Sequence, residues 1–345
     1  MTLSLALTTL AATVFATALI VALGPLLRRY ALARPNARSS HETPTPQGGG
    51  IAVLGGAVLA IAGAGLLIGV DVWSLAPALA AAAVLAVVGA VDDIRLLPAG
   101  PRLALQAVAA TAVVLATGRD VRIVPALPQA VETAALVLAA IWFVNLVNFM
   151  DGIDWMSVAE LVPVTAMLAF LSAVGGLPEM SFLAAALLGG LLGFAPLNKP
   201  VARLFLGDVG SLPLGLLVGW MLLRVAGTGA WAAALILPLY YLADTTLTLL
   251  RRLLRGERVW EAHREHFYQQ ALANGFSVPE VVARVFGLNL ALAALAGSTL
   301  LRPSTAFGVA ALAVGAVLVA LTLRRFATTR GASILAGAAS RSSAR

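Results

Sequence analysis

Residues 130–154, AVETAALVLAAIWFVNLVNFMDGID, decide how the chain folds. The stretch is almost wholly apolar up to residue 148, and about 20 such residues form an α-helix long enough to cross a bilayer core of about 30 Å. Two amides and two carboxylates then follow within a few residues, at Asn145, Asn148, Asp151 and Asp154. The pattern predicts a transmembrane helix that carries a polar site to one membrane face.

Apolar stretches of similar length recur along the whole chain and predict about eleven transmembrane helices. They cover residues 3–26, 50–70, 72–91, 103–118, 130–148, 157–176, 180–196, 211–227, 229–249, 281–301 and 305–323. The connections between them are too short for a soluble domain. The prediction is therefore one all-α, polytopic membrane domain over residues 1–323, followed by a disordered basic tail over residues 324–345.

The composition supports a membrane class. Of the 345 residues, 60% are hydrophobic and 11% are charged, whereas soluble proteins carry about 25% charged residues. The chain has no cysteine, which excludes thiolate metal sites and cysteine nucleophiles. A net charge of +7 would suggest nucleic acid in a soluble protein, but in a membrane protein it indicates contact with anionic lipid headgroups.

The distribution of cations predicts the orientation. Alternating the eleven spans places eighteen Lys and Arg residues on the side reached after the first span and four on the other side. By the positive-inside rule the richer side is cytoplasmic, with the N-terminus outside and the C-terminus inside. Asp92, Asp93, Asp151, Asp154 and Asp208 fall on the same side, which predicts an active site at the cytoplasmic face of the membrane.

The first polar segment is the loop over residues 38–50, which contains Arg38, His41 and the glycines Gly48, Gly49 and Gly50. Arg38, His41 and the N–H groups of the glycines are suited to binding phosphate. The alternative interpretation is a plain connecting turn.

Two acidic segments each follow an apolar span. Adjacent carboxylates at Asp92 and Asp93 repel each other unless a cation or a substrate proton relieves the repulsion, although they would also serve as a simple helix stop. The oxygen-rich and amide-rich segment from Asn145 to Asp154 suits a hard divalent cation, a sugar or uracil.

A fourth segment runs from Asn198 to Ser211 and contains Asp208 between glycines, at the start of the next span. Mg²⁺ usually takes one or two carboxylates together with phosphate oxygens, and Asp208 fits that role. The helix N-terminus that begins near Ser211 favours a phosphate. A Gly/Asp turn without a ligand is the alternative.

The longest cytoplasmic loop contains His263, Arg264 and His266 beside aromatic residues. These side chains are suited to holding a diphosphate and a sugar, although an amphipathic helix at the lipid interface would look similar. The His-x-x-His spacing is tighter than that of the zincin helix and no cysteine is present, so zinc is not expected.

These segments together predict Mg²⁺-dependent phosphoryl transfer between a soluble nucleotide substrate and a lipid-borne one. No Walker motif, Gly-x-Ser-x-Gly elbow or CDP-alcohol phosphatidyltransferase motif is present. A transporter for lipid-linked sugars is the rival from another class. It would place ionisable groups near the middle of the spans, whereas Glu132, Glu160 and Asp244 lie near predicted span ends.

In this order, the motifs resemble those of the polyprenyl-phosphate N-acetylhexosamine-1-phosphate transferases, which include the bacterial translocase that makes the first lipid intermediate of peptidoglycan. The resemblance runs from His41 to Gln269, over most of the chain. One departure is Trp155, where the family usually has glycine.

The resemblance implies that undecaprenyl phosphate attacks the β-phosphorus of a UDP-N-acetylhexosamine and releases UMP. It assigns Asp208 and Asp151 to Mg²⁺, which Mn²⁺ can replace, and Asp92 to the lipid phosphate as base or orienter. Asp93 would support the metal or its partner acid. The nucleotide-sugar would be bound by the following residues: His41, Asn145, Asn148, Asp151, Asp154, Asn198 and Arg264. His263 and His266 would hold the diphosphate and the sugar, and a covalent aspartyl-phosphate route stays open.

The segment from His263 to Gln269 is similar to the branch that starts O-antigen or capsule chains on UDP-linked sugars such as QuiNAc or FucNAc. UDP-GlcNAc, and the muramoyl-pentapeptide donor of the translocase, are alternatives within the family. The implied partners are the UDP-sugar, undecaprenyl phosphate and anionic lipids, without nucleic acid. The sequence leaves a homodimer open.

Overall fold

The computed structural model describes residues 2–33, 44–118, 122–259 and 263–329, and this part of the chain is almost entirely helical. One short antiparallel pair joins Leu32–Ala33 to Thr45–Pro46. The helices are α1 (Thr2–Tyr30), α2 (Gly49–Ile68), α3 (Ala76–Ile94), α4 (Ala99–Ala116), α5 (Gln129–Met150), α6 (Met156–Val174), α7 (Pro178–Asn198), α8 (Asp208–Gly227), α9 (Trp231–Ile236), α10 (Leu239–Leu254), α11 (Phe267–Ala273), α12 (Val278–Leu301) and α13 (Thr305–Phe326). A 3₁₀ turn at Val72–Leu75 leads into α3.

Within the described residues, ten helices are long and apolar enough to cross a membrane. They coincide with ten of the eleven predicted spans, and the predicted all-α, polytopic fold is confirmed.

The one predicted span without such a helix, residues 229–249, is not one continuous helix. It is divided into α9 and α10 at Leu237 and Pro238. Proline has no N–H and its ring clashes with the preceding turn, so it interrupts the helical hydrogen bonds. The second piece, α10, continues to Leu254, beyond the predicted end.

The C-terminal helix is longer than predicted. Residues 324–326, which the sequence assigned to a disordered tail, are the last turn of α13. Phe326 is fully buried and meets the ring of Phe276 edge-on at 5.9 Å, so burial of this aromatic side chain holds the turn. Residues 330–345 of the predicted tail lie outside the described part of the chain.

The helix α10 has its polar side facing the protein and its apolar side facing outward. Asp244 and Thr248 are buried, whereas Leu250 and Leu254 are 47% and 79% exposed. This arrangement is the reverse of a helix on the surface of a soluble protein. It fits a helix whose outer face meets lipid and whose inner face holds polar partners.

The helix α8 lies at the centre of the bundle, in contact with α2, α3, α5, α6 and α9. Glycines allow its first turn to approach two neighbours. A Cβ atom on Gly89 of α3 would lie 2.2 Å from the Asp208 carbonyl oxygen, and one on Gly50 of α2 would lie 2.1 Å from Gly210 Cα. The first turn of α2 and the C-terminal part of α3 therefore touch the beginning of α8 backbone to backbone.

Replacing Gly89 by Ala is expected to lower the free energy of unfolding by about 1–3 kcal/mol, because the added methyl group collides with the backbone of α8. The matched control is Gly63→Ala in α2, where a Cβ atom meets nothing within 4 Å and the helix propensity improves. Thermal unfolding of the purified protein in detergent measures both changes. Equal melting temperatures for the two variants would show that α3 and α8 are not in close contact.

Candidate active site

Asp93 links the end of α3 to the beginning of α8. Its Oδ1 accepts the N–H of Asp208 at 2.9 Å and its Oδ2 accepts the N–H of Val209 at 3.1 Å. The first N–H groups of a helix have no partner within the helix and carry partial positive charge. A carboxylate supplies both the missing hydrogen-bond acceptors and a compensating negative charge. Gly207 precedes them with φ of 77°, a conformation that favours glycine.

Asp208 points its side chain toward α5 and α4. Its Oδ1 accepts from Asn148 Nδ2 at 2.7 Å, and its Oδ2 lies 3.7 Å from Arg102 Nη1. Asn148 also donates to Ser211 Oγ at 2.9 Å, so the amide bridges the first turn of α8. The side chain of Asp208 is 28% exposed, which leaves part of the carboxylate open to a ligand.

Asp92 is held in a different way from Asp208. Its Oδ1 accepts the N–H of Leu97 at 2.6 Å, and its Oδ2 is paired with Arg102 Nη1 at 2.6 Å. The Asp92 side chain is only 3% exposed, whereas that of Arg102 is 24% exposed. Arg102 therefore contacts both Asp92 and Asp208. The partly exposed side chains of Arg102 and Asp208 mark the opening of the site.

The segment after α5 folds back on itself. Asp151 Oδ1 accepts from Ser157 Oγ at 2.6 Å, and Asp154 Oδ2 accepts the N–H of Ala202 at 2.8 Å. Removal of solvent around the carboxyl raises the pKa of Asp151 to about 7, and the nearby charges of Asp93 and Asp154 act in the same direction. The acids of α3 and of the segment after α5 thus lie within electrostatic reach of each other.

Two predicted nucleotide-binding residues have structural partners. Asn198 is buried, and it accepts the N–H of Trp155 and donates to the carbonyl of Leu204. Asn145 donates to Gln106 Oε1 at 2.7 Å, one helical turn before Asn148. Their contacts hold the loops and helices around the opening.

Trp155, the departure from the family pattern, does take a conformation that suits glycine. Its φ is 62°, where a bulky side chain is uncommon. The indole Nε1 donates to the carbonyl of Ala195 in α7 at 2.6 Å. The ring is fixed against α7 by this bond.

Residues 263–269, here called the histidine loop, pack against the end of α5. The rings of His263 and His266 stack with centroids 4.9 Å apart, and His266 faces Phe149 at 6.3 Å. Burial lowers the pKa of His263 to about 4, with the charges of His266 and Arg252 adding to the effect, so His263 is neutral at pH 7. Arg264 lies in the same loop, between these two histidines.

The glycine loop has another role than the one expected for its N–H groups. The N–H groups of Gly49 and Gly50 donate to the carbonyls of Phe205 and Leu206 at 2.9 Å. These two N–H groups are therefore engaged by backbone, and the expectation that they bind phosphate is wrong. Arg38 and His41 lie outside the described residues, and the role of His41 stays a prediction.

Comparison with known proteins agrees with this geometry. Residues 75–226, which include Asp92, Asn148 and Asp208, match Glycosyl transferase family 4. The decaprenyl-phosphate N-acetylglucosaminephosphotransferase of Mycobacterium leprae (strain TN) is 29% identical, over 79% of this chain and 77% of the relative. A probable undecaprenyl-phosphate N-acetylglucosaminyl 1-phosphate transferase of Bacillus subtilis (strain 168) is 24% identical over 75% of each.

This chain is similar to the polyprenyl-phosphate N-acetylhexosamine-1-phosphate transferases. The resemblance drawn from the motifs is confirmed. A phospho-N-acetylmuramoyl-pentapeptide-transferase of Streptococcus pneumoniae (strain Hungary19A-6) is 31% identical, but over only 39% of this chain and 42% of the relative. The similarity to the N-acetylglucosamine-phosphate transferases therefore extends over about twice as much of the chain.

The sequence did not single out several residues that complete the site of this transferase relative. Arg102 was counted there only as one cation among many, Ser211 marked only the start of a helix, and Ser157 was not named. Each is identified by a contact with an acid or amide across the bundle. The one available signal was Arg102 itself, an arginine next to an apolar span and ten residues after Asp92.

Replacing Arg102 by Gln is expected to lower the free energy of unfolding by about 3 kcal/mol, because it leaves the buried Asp92 carboxylate without a counter-charge. Arg95→Gln, at an exposed position in the same connection, is the control and should change little. The double variant Asp92→Asn/Arg102→Gln should recover much of the loss. Unfolding in detergent measures all three, and an equal loss in the single and double variants would contradict the pairing.

Proposed function

We propose that this protein transfers an N-acetylhexosamine 1-phosphate from a UDP-sugar to undecaprenyl phosphate. One observation carries the proposal: the ends of α3 and α5 and the beginning of α8 interlock through Asp93, Asn148 and Asp208 around a partly open carboxylate and guanidinium. Such a site suits two phosphate-bearing substrates, since a guanidinium binds phosphate oxygens and hard cations bridge them to carboxylates. The named activities of the relatives support the same reaction.

In this reaction an oxygen of the lipid phosphate forms a bond to the β-phosphorus of the UDP-sugar. The bond from that phosphorus to the oxygen shared with the α-phosphate breaks, and the electron pair leaves with UMP. A phosphate monoester is largely dianionic at neutral pH, so a strong base is not required. Positioning and neutralisation of charge then supply most of the catalysis.

The acids of the site fit a magnesium ion. Within the described residues no three acids or histidines converge as a complete metal cage, but Mg²⁺ in such enzymes takes one or two carboxylates and fills the remaining positions with phosphate and water. Asp208 and Asp151 would hold it, beside the guanidinium of Arg102, which contacts Asp92 and Asp208. When bound, the ion neutralises charge on the phosphates.

Arg102 is placed to meet a phosphate of either substrate, because its guanidinium reaches the opening while Asp92 holds it from behind. Asp92, the predicted base or orienter of the lipid phosphate, would act on that phosphate directly or through Arg102. Asp151, Asp154, Arg264 and the histidines His263 and His266 lie on the side of the nucleotide-sugar in this proposal. His41 would join them from the loop before α2.

An apolar cavity supports a polyprenyl acceptor. Its volume is about 490 Å³, and it is lined by α5, α8, α9 and α10, among others by Trp142, Phe143, Leu222 and Leu242. Asn148 lies five residues beyond Phe143 on α5, which is roughly 7.5 Å along the helix axis. A prenyl chain lying in this cavity would bring its phosphate toward Asn148 and Asp208.

Among the sugars, the relatives favour N-acetylglucosamine, since the Mycobacterium leprae and Bacillus subtilis proteins carry that sugar in their names. The segment from His263 to Gln269 supports QuiNAc or FucNAc and an O-antigen or capsule chain instead. The site is proposed to face the cytoplasm, in the inner membrane of a bacterium, where UDP-sugars are made.

Asp208→Asn is expected to abolish UMP release from UDP-GlcNAc in membranes that contain undecaprenyl phosphate and Mg²⁺. The amide has the shape of the carboxylate but carries no charge for the metal, while Asp93 still holds the first turn of α8. Asp71→Asn, at an exposed position before α3, is the control and should keep full activity. Full activity of Asp208→Asn would exclude the metal assignment.

A panel of donors identifies the sugar. UDP-GlcNAc, UDP-QuiNAc, UDP-FucNAc and the UDP-muramoyl-pentapeptide are each assayed for UMP release, with and without Mg²⁺, Mn²⁺ and the lipid phosphate. We expect release only with both lipid phosphate and metal, and fastest with UDP-GlcNAc. Preference for the pentapeptide donor would identify a peptidoglycan translocase. Movement of a lipid-linked sugar across the membrane without UMP release would identify a transporter.

A further inference from the structure

Asp244 is a fully buried carboxylate on α10, and nothing in the proposed reaction uses it. It is surrounded by hydrogen-bond donors from its own helix and from the histidine loop. These are Phe267 N at 3.0 Å, Tyr268 N and His266 Nδ1 at 3.2 Å, Tyr240 Oη at 3.3 Å and Thr248 Oγ1 at 3.4 Å.

A buried carboxylate is costly unless donors of this kind surround it. An apolar residue at position 244 would avoid that cost altogether. The acid is therefore explained by what it holds, which is the histidine loop.

The contact with His266 orients the imidazole ring. Asp244 Oδ1 lies 3.2 Å from Nδ1 of His266 and also accepts the N–H of Phe267. A carboxylate oxygen accepts hydrogen bonds, so a hydrogen on Nδ1 completes the contact. The ring itself is stacked between His263 at 4.9 Å and Tyr268 at 5.8 Å, so its plane is fixed.

The same carboxylate fastens the histidine loop to the end of α5. It binds the N–H of Tyr268, and the hydroxyl of Tyr268 donates to the carbonyl of Phe149 at 3.2 Å. A Cβ atom on Gly152 would lie 2.0 Å from this hydroxyl, so the tyrosine fits closely against the turn. Phe149 and Gly152 flank Asp151, and Asn148 precedes them.

We propose that Asp244 is a positioning residue for the transfer reaction. It holds the imidazole ring of His266 through Nδ1, and it holds the first turn of α11 against residues 149–152. The inference rests on the proposed function for its kinetic consequence, whereas the state of the His266 ring is a property of the protein alone.

The ring is tested by NMR on the full-length protein in detergent, labelled with ¹⁵N-histidine. The chain has three histidines, and the signals of His266 are those lost in His266→Gln. We expect the wild-type ring to carry its hydrogen on Nδ1 and to be unaffected by Tyr240→Phe, which removes one other donor to Asp244. Asp244→Asn should move the hydrogen toward Nε2, since the amide NH₂ can donate to Nδ1. A wild-type ring without a hydrogen on Nδ1 would overturn the proposal, whether or not the variant folds.

The kinetic test compares Asp244→Asn, His266→Gln and the double variant in the UMP-release assay. Removing the partner that orients a metal-binding histidine typically costs about 10–100-fold. For a histidine that holds substrate we expect the lower end, so kcat of Asp244→Asn should fall by about tenfold, with Tyr240→Phe close to wild type. If Asp244 acts through His266, the double variant is no slower than the slower single variant. Losses that multiply would show independent action and contradict the proposal. Absence of UMP release from the wild type with every donor would instead contradict the proposed function.

Discussion

The contact between the Asp93 carboxylate and the first N–H groups of α8 is the interaction on which the site depends. In a membrane the unpaired N–H groups at a helix start need partners from the protein, because lipid offers none. Asp93 supplies them from α3, and Gly89 allows the two backbones to meet. This contact fixes the position of Asp208, and Asn148 then joins α5 to the same turn. Three helices distant in sequence are thereby brought to one point.

Polar side chains of the spans face the inside of the bundle, and the surface that faces lipid is apolar. The helix α10 shows this most clearly, since Asp244 and Thr248 face the protein while Leu250 and Leu254 face outward. Charges that are buried in this way must be paired or hydrogen-bonded. Arg102 with Asp92 and His266 with Asp244 meet that requirement, and both pairs lie beside the proposed substrates. The pairing that stabilises these charges also orients the groups nearest to the reaction.

Much of the fold follows from the sequence because membrane helices have a strong local signal. A run of about 20 apolar residues is recognised from composition alone, and the predicted spans agree with the helices to within a few residues at most ends. The interruption at Leu237 and Pro238 was not predicted, because proline is tolerated within apolar membrane segments and its effect depends on neighbouring helices. The last turn of α13 was missed because it is held by a distant residue, Phe276.

The site was predictable as a set of residues but not as a set of roles. Asp92, Asp93 and Asp208 look alike in the sequence, as acids at the ends of spans. In the structure Asp93 binds backbone N–H groups, Asp92 binds Arg102, and Asp208 retains an exposed part of its carboxylate. The difference lies in the donors that α4, α5 and α8 bring to each acid, and these come from residues between ten and more than one hundred positions away. An acid whose oxygens are occupied by buried donors is a fixed point of the scaffold, so the carboxylate that remains partly open is the one placed to meet a metal ion or a phosphate. By the same argument Asp244, which the sequence offered only as an acid near a span end, belongs with the residues that hold the site rather than with those that react.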